Sequence, residues 1–166
     1  MVKEERVPDS EGIRNALSRV DFSDTFSTTN HQDSLEEIAK LIFGKKPPAW
    51  VQGLFRFRIA VGKLFGLKSV TPDDYSQEFS EGGYIGFFKI FRIAENEIIV
   101  GEDDKHLKFR ASILKTDEPD FNIKVTTLVE FNNAMGKMYM FSIGPFHRMV
   151  VKSMIKNAEK RNKDTP

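Results

Sequence analysis

The chain has 166 residues, 40% of them hydrophobic, and its 25 Lys and Arg residues almost balance 24 Asp and Glu residues. This length fits one domain with a substantial core, while a net charge near zero argues against a nucleic-acid-binding surface or a surface for anionic membranes. Cysteine is absent, which excludes disulfides, thiolate nucleophiles and Cys-ligated metals and fits a reducing compartment. With no apolar run long enough for a membrane span and no signal-peptide pattern at the start, the expected location is the cytoplasm.

The first part of the chain predicts short helices around one strand. Residues 1–9 are charged and predict a flexible N-terminus. Ser10 is a typical cap for a short helical turn, and residues 21–26 predict a half-buried strand. Asp33 or Ser34 then caps a helix that runs through Phe43 and ends at Gly44.

A second helix is predicted from Pro48 to Phe65, because Pro is favoured at a first helical position. Apolar residues recur in it at helical spacing: Trp50, Leu54, Phe57, Val61 and Leu64. Residues 66–84 are rich in Gly, Pro, Asp and Ser and predict a loop.

From Ile85 onward the pattern predicts an antiparallel meander. The predicted strands are residues 85–93, 97–101, 106–115, 121–131 and 137–143. In the third of these, Leu107, Phe109, Ala111 and Ile113 take one face and the polar residues take the other. Pro145 is predicted to open a C-terminal helix, which fades into a charged tail at residues 161–166.

Four stretches of the sequence resemble a known family. They are DFSDTF, PAWVQGLFRFRIAVGKLFGLK, GEDDKHLKFR and FNNAMGKMYMFSIGPFHRMVVKSM, which together extend from about Asp21 to about Met154. The resemblance is to an uncharacterised bacterial family of the START-like (SRPBCC) superfamily, whose members also occur fused behind short-chain-dehydrogenase-like domains. This chain has no Gly-rich dinucleotide fingerprint, so the resemblance implies a stand-alone member.

The resemblance implies an α+β helix-grip fold, in which a curved antiparallel sheet carries two N-terminal helices and a C-terminal helix. Residues 10–160 would form this single START-like domain. The family has no established activity, so the resemblance implies a cavity and no particular reaction. No cofactor is expected.

Two basic regions are candidate binding sites. His106 and Arg110 share a strand face with Lys108 between them, and such a pair suits a carboxylate or phosphate if the face lines a pocket. The alternative is a solvated outer face. His147 follows Gly144-Pro145 at the predicted helix start, where it would act as acid or base or hold an anion. The alternative is a buried His with a backbone hydrogen bond.

Further candidates come from the predicted second helix and the acidic turn. Trp50 and Arg58 are further ligand-binding candidates, with Arg58 directed toward the cavity mouth. The more common alternatives are a core position for Trp50 and a solvent-exposed position for Arg58. The acidic run at residues 102–104 beside His106 matches no metal-binding spacing, so no metal is expected. No nucleophile-elbow motif is present, so a hydrolase triad has no support and no catalytic residue is assigned.

Three functions remain open. The leading hypothesis is a module that binds a small apolar or amphipathic ligand between the sheet and the C-terminal helix, supported by the surplus of 15 Phe residues. The second is an enzyme of cyclase or hydratase type that uses His106 or His147 in the same cavity. The third is a protein-interaction module, with a dehydrogenase-like protein as the candidate partner. The sequence predicts no oligomeric state.

Overall fold

The structure is a computed structural model that describes residues 1–45, 49, 52 and 75–160. In these residues, seven strands form one sheet. The helices are α1 (Glu11–Ala16), α2 (Leu35–Ala39), which continues as a π-helical turn (Lys40–Gly44), and α3 (Ala134–Lys156). The strands are β1 (Lys3–Glu5), β2 (Phe22–Thr28), β3 (Tyr84–Ile85), β4 (Phe88–Ile93), β5 (Glu97–Asp103), β6 (Leu107–Lys115) and β7 (Ile123–Phe131).

The sheet is antiparallel throughout, with the strand order β1-β2-β7-β6-β5-β4-β3. Strands β3 to β7 pair in chain order, as short hairpin connections require. Strand β2 pairs along its full length with β7, so an early strand of the chain lies next to the last one in the sheet. The α+β class and the antiparallel meander up to Phe131 are therefore confirmed.

The two short N-terminal helices begin at the caps that the sequence predicts. The Ser10 hydroxyl accepts a hydrogen bond from the Ile13 amide at the start of α1. Ser34 and Glu37 form a reciprocal capping box at the start of α2. The N-terminus differs from its prediction, because residues 3–5 pair with β2 as an edge strand. The predicted helix from Pro48 to Phe65 and the charged tail lie almost wholly outside the described residues.

The predicted strand at residues 85–93 is divided into two by a tight turn. Gly86 has a φ of 59°, in the left-handed region that glycine adopts most readily, and Phe87 follows it at the tip. Strand β3 therefore folds back on β4, with Ile85 opposite Phe88. An apolar run without alternation conceals such a turn, because both of its sides are rich in hydrophobic residues.

The largest correction concerns the C-terminal part of the chain. The sequence predicted a strand at residues 137–143 and a helix opened by Pro145, but both stretches belong to the single helix α3, in which Pro145 is internal. Asn133 caps this helix by accepting a hydrogen bond from the Gly136 amide. Consequently, His147 lies in the body of α3, far from the positive end of the helix dipole.

The core lies between one face of the sheet and the helices α2 and α3. Its fully buried members include Phe26, Ile38, Ile113 and Ile155. Along β6, Ala111 and Ile113 belong to this cluster and the partly buried Phe109 packs against it, which confirms the predicted core face of that strand. The opposite, outer face of the sheet carries α1. The inner face of the sheet therefore packs against α2 and α3, and the outer face packs against α1.

Substitutions at two glycines of α3 test how the helix packs on the sheet, because we expect them to change stability in opposite directions. A Cβ at Gly136 would overlap the His106 carbonyl oxygen, whereas a Cβ at Gly144 would meet no atom within 4 Å. We expect Gly136→Ala to lower the free energy of unfolding by about 2 kcal/mol, as overpacking against backbone does. We expect Gly144→Ala to raise it by about 0.5–1 kcal/mol through helix propensity alone.

Urea unfolding of the two variants, followed by circular dichroism, measures both effects. Equal effects of the same sign would contradict the placement of α3 against the start of β6.

Candidate functional site

A charged residue interrupts the apolar, helix-facing side of β2. Side chains alternate along a strand, so Phe22, Asp24 and Phe26 share one face. Phe26 is part of the core, which fixes this face as the inner one. Asp24 is therefore held between two aromatic residues under the C-terminal helix, in a place where a carboxylate is costly to bury.

Asp24 pairs with His147 of α3. The imidazole Nε2 lies 3.2 Å from one carboxylate oxygen of Asp24 and 3.4 Å from the other. The Asp24 side chain is 6% exposed and that of His147 is 15% exposed. Because the residues are 123 positions apart in sequence, the pair forms only when α3 crosses β2.

The surroundings of this pair are largely apolar. The ring of Phe22 meets the His147 ring edge-to-face, with 5.8 Å between their centroids. Thr127 lies directly opposite Asp24 on β7 and is buried. Asp24 Oδ2 is buried without a hydrogen bond of good geometry, although His147 lies within ion-pair distance of it. We name this seam between β2 and α3, formed by Phe22, Asp24, Thr127 and His147, the Asp–His seam.

His106 does not belong to the Asp–His seam. It lies one residue before β6, where its Nδ1 is 3.2 Å from Asn133 Oδ1 and 3.0 Å from Asn133 Nδ2. Its carbonyl oxygen accepts a hydrogen bond from the Asn132 amide at 2.9 Å. Since Asn133 caps α3, His106 helps to fix the start of that helix.

Arg110 lies on the outer face of the sheet. Its neighbour Ala111 belongs to the core, so alternation along β6 places Arg110 on the opposite face from His147. The guanidinium donates to Asp103 Oδ1 at 2.7 Å and stacks 3.5 Å from the centre of the Phe91 ring. The predicted shared site of His106, Arg110 and His147 is therefore not formed.

Trp50 and Arg58, the other two predicted site residues, lie outside the described residues. The acidic run before His106 also serves structure, since Asp103 binds Arg110 and Asp104 accepts from the His106 amide. Within residues 1–45 and 75–160, no group of three or more His, Asp or Glu side chains is arranged to hold a metal ion.

The outer face holds a second buried carboxylate that the sequence did not predict. Glu97 accepts hydrogen bonds from the Ser10 and Ser112 hydroxyls at 2.7 and 2.6 Å, and from the Gly12 amide at 3.1 Å. These contacts fasten α1 across β5 and β6. Both carboxylate oxygens have a donor, so we interpret this cluster as a structural clamp.

Two further outer-face groups have shifted pKa values. The hydroxyl of Ser18, with the Arg19 amide and the charge of Lys108, holds the pKa of Glu130 below its ordinary value despite partial burial. Burial alone would lower the pKa of Lys124, but its contacts with Glu5 and Glu118 outweigh that effect and raise it. Both groups tie N-terminal or loop residues to β7.

An open depression lies at the start of α3, lined by Arg19, Asp21, Phe131, Asn132, Asn133, Ala134 and Lys137. Its two central charges already satisfy each other, because Arg19 Nε and Asp21 Oδ1 are 2.9 Å apart. The hydrogen bond from Arg19 lowers the pKa of Asp21, with further help from the Phe131 amide. The side chains that line the depression therefore hold together the β2–β7 end of the sheet.

The exposed apolar side chains of α3 form a separate feature. Phe141 is 88% exposed, and Met138 and Met149 are also largely exposed. In the parts of the chain that the structure describes, no helix has the length and apolar character needed to cross a bilayer.

Asp24 is the site residue that sequence reasoning missed. The signal was present, because a period of two along residues 22–26 puts Asp24 on the same face as two Phe residues. A charge on an apolar strand face indicates either a buried partner or a function. The identity of that partner, by contrast, depends on the path of α3.

The fold and the Asp–His seam define a class: an α+β protein with an antiparallel sheet, a long C-terminal helix and a buried acid–imidazole pair between them. Residues 16–154 match the family described as Protein of unknown function (DUF2867), so the chain belongs to that family. No curated protein and no solved structure shows a significant match.

Proposed function

We propose that this protein binds a small apolar or amphipathic molecule between the sheet and α3, with the Asp–His seam as the polar end of the site. The supporting observation is the Asp24–His147 pair on an apolar face. Ligand sites commonly combine an apolar lining with a few placed polar groups. Burying Asp24 costs stability, which favours a functional role for the pair.

The topology supports a helix-grip fold of the START-like kind as part of this proposal. An early strand, β2, closes the sheet beside the last strand, β7, and the C-terminal helix crosses the inner face. In such an arrangement the space enclosed by sheet and helix is where a ligand would lie. The same proposal includes membership of the START-like superfamily.

Native mass spectrometry of the full chain, purified from its own host without detergent, tests the proposal. We expect a non-covalent adduct of a small molecule, at lower occupancy in His147→Phe and unchanged in Phe141→Ala. The second variant is a control, because Phe141 is on the same helix but faces outward. Adducts of equal occupancy in all three proteins would contradict a site at the seam, and so would the lack of any adduct.

An enzyme of cyclase or hydratase type is a second candidate, favoured by the orientation of His147. A carboxylate that holds an imidazole in place is a common arrangement for general acid–base catalysis. The chemical identity of the co-purified molecule separates the two functions. An enzyme would retain a product in the wild type and an unconverted substrate in His147→Phe, whereas a binding protein would retain the same molecule in both.

A further inference from the structure

The orientation of the Asp24–His147 pair limits which ligands suit it. An ionised carboxylate accepts hydrogen bonds and donates none, so the nitrogen facing Asp24 must carry a proton. That nitrogen is Nε2, at 3.2 and 3.4 Å from the carboxylate oxygens. In a neutral imidazole, Nδ1 is then left as an acceptor.

The second ring nitrogen, Nδ1, makes no polar contact within the described residues. In the described part of the chain, every polar contact of the His147 ring is made by Nε2. The imidazole is partly exposed whereas Asp24 is shielded, so a molecule that enters the seam meets the imidazole first. The Nδ1 edge of the neutral ring presents a lone pair, and the negative charge of Asp24 lies behind the ring.

From this geometry we infer that the ligand has a hydrogen-bond-donating head group, an alcohol or a protonated amine, and is not a carboxylate. This inference rests on the proposed function and specifies its ligand class. A hydroxyl or ammonium group donates to Nδ1 and is favoured by the nearby Asp24 charge. A carboxylate head group would have no proton to donate and would be repelled by Asp24.

The basic side chains of α3 nearest to the seam do not reverse this preference. Arg148 forms an ion pair with Glu4, and its guanidinium lies over the Phe26 ring at 5.6 Å. The ammonium of Lys152 also lies over that ring, at 5.2 Å. Both cations therefore contact Phe26, which is the next inward-facing residue after Asp24 on β2. Neither cation is paired with Asp24.

A series of four probes with the same chain length tests the inference: dodecanol, dodecylamine, dodecanoate and dodecane. Binding to the full chain is measured by calorimetry for dodecylamine and dodecanoate below their critical micelle concentrations, and by competition for the sparingly soluble dodecanol and dodecane. We expect dodecanol or dodecylamine to bind about tenfold more tightly than dodecanoate, the scale of one hydrogen bond to an uncharged acceptor. In His147→Phe, which leaves the charge of Asp24 in place, the advantage of the uncharged dodecanol over dodecane should disappear while dodecane affinity is kept.

Arg110→Ala is the matched control, because it removes a charge from the opposite sheet face and should leave the order of affinities unchanged. A separate readout is the nitrogen-15 spectrum of the imidazoles, in which His147 should be the Nε2-protonated tautomer. Tightest binding of dodecanoate, or a proton on His147 Nδ1 in either the opposite tautomer or the imidazolium, would overturn the inference and leave the proposed function standing. If no probe binds, dodecane included, both the proposed function and the inference fail.

Discussion

Phe26→Ala should lower the free energy of unfolding by about 3–5 kcal/mol, the usual cost of truncating a buried Phe. Phe26 is 0% exposed and lies in the middle of the core between β2 and α3. Its ring also supports the charged side chains of Arg148 and Lys152 from the helix above. The substitution therefore removes apolar burial and the surface over which two cations are placed.

Phe87→Ala provides the matched control for this prediction. The substitution is chemically identical, but Phe87 is 87% exposed at the tip of the β3–β4 turn. We expect its effect on the free energy of unfolding to stay within about 0.5 kcal/mol, as for most surface positions. Urea denaturation of both variants decides the matter, and similar losses from the two would show that the core has been placed wrongly.

The strands were predictable where one face is apolar and the other is polar. In β6 the alternation of Phe109, Ala111 and Ile113 with polar residues identifies both the strand and its inner face. Turn-forming residues between the strands then determine the antiparallel order. These signals are local, which is why they could be read from the sequence.

The C-terminal helix shows where local patterns fail. The stretch at residues 137–143 is apolar at most positions, so it fits a period of two as well as a helical period. Interpreting Pro145 as a helix start then removed the first half of the helix. Within α3, Pro145 lies on an exposed part of the surface. The inward positions, among them Met140, Val151 and Ile155, become recognisable once the helix is traced as one piece.

The candidate site was predictable only in part, for a physical reason. His147 and Asp24 were each visible as polar residues, but they meet through a contact between a strand and a helix that are distant in sequence. Arg110 was assigned correctly to the polar face of β6, and that face proved to be the outer one. Sequence alternation separates two faces of a strand, but it does not say which of them a ligand would meet.

The outer face has its own buried charge, and its role differs from that of Asp24. Glu97 receives three hydrogen bonds, from Ser10, Gly12 and Ser112, whereas Asp24 Oδ2 lacks one of good geometry. A carboxylate with donors on both oxygens is suited to holding structure, and one with an oxygen that lacks a donor can still bind something else. The contrast between them is the reason for assigning the clamp to Glu97 and the candidate site to Asp24.

Glu97→Ala should lower the free energy of unfolding by about 3 kcal/mol, because it leaves three buried or half-buried donors without their acceptor. Two smaller changes serve as controls. Ser112→Ala removes one donor and should cost about 1 kcal/mol, while Glu95→Ala, in the exposed turn two residues earlier, should cost less than about 0.5 kcal/mol. Urea unfolding measures all three changes.

Loss of Glu97 should also release α1 before the rest of the protein unfolds. The amides of Ile13 and Arg14 are bonded to Ser10, whose hydroxyl in turn donates to Glu97. In native-state hydrogen exchange these two amides should therefore exchange faster in Glu97→Ala, by more than the change in global stability explains. Equal acceleration at Ile13 and at the core amide of Ile113 would mean that Glu97 stabilises the sheet as a whole and that α1 is held by something else.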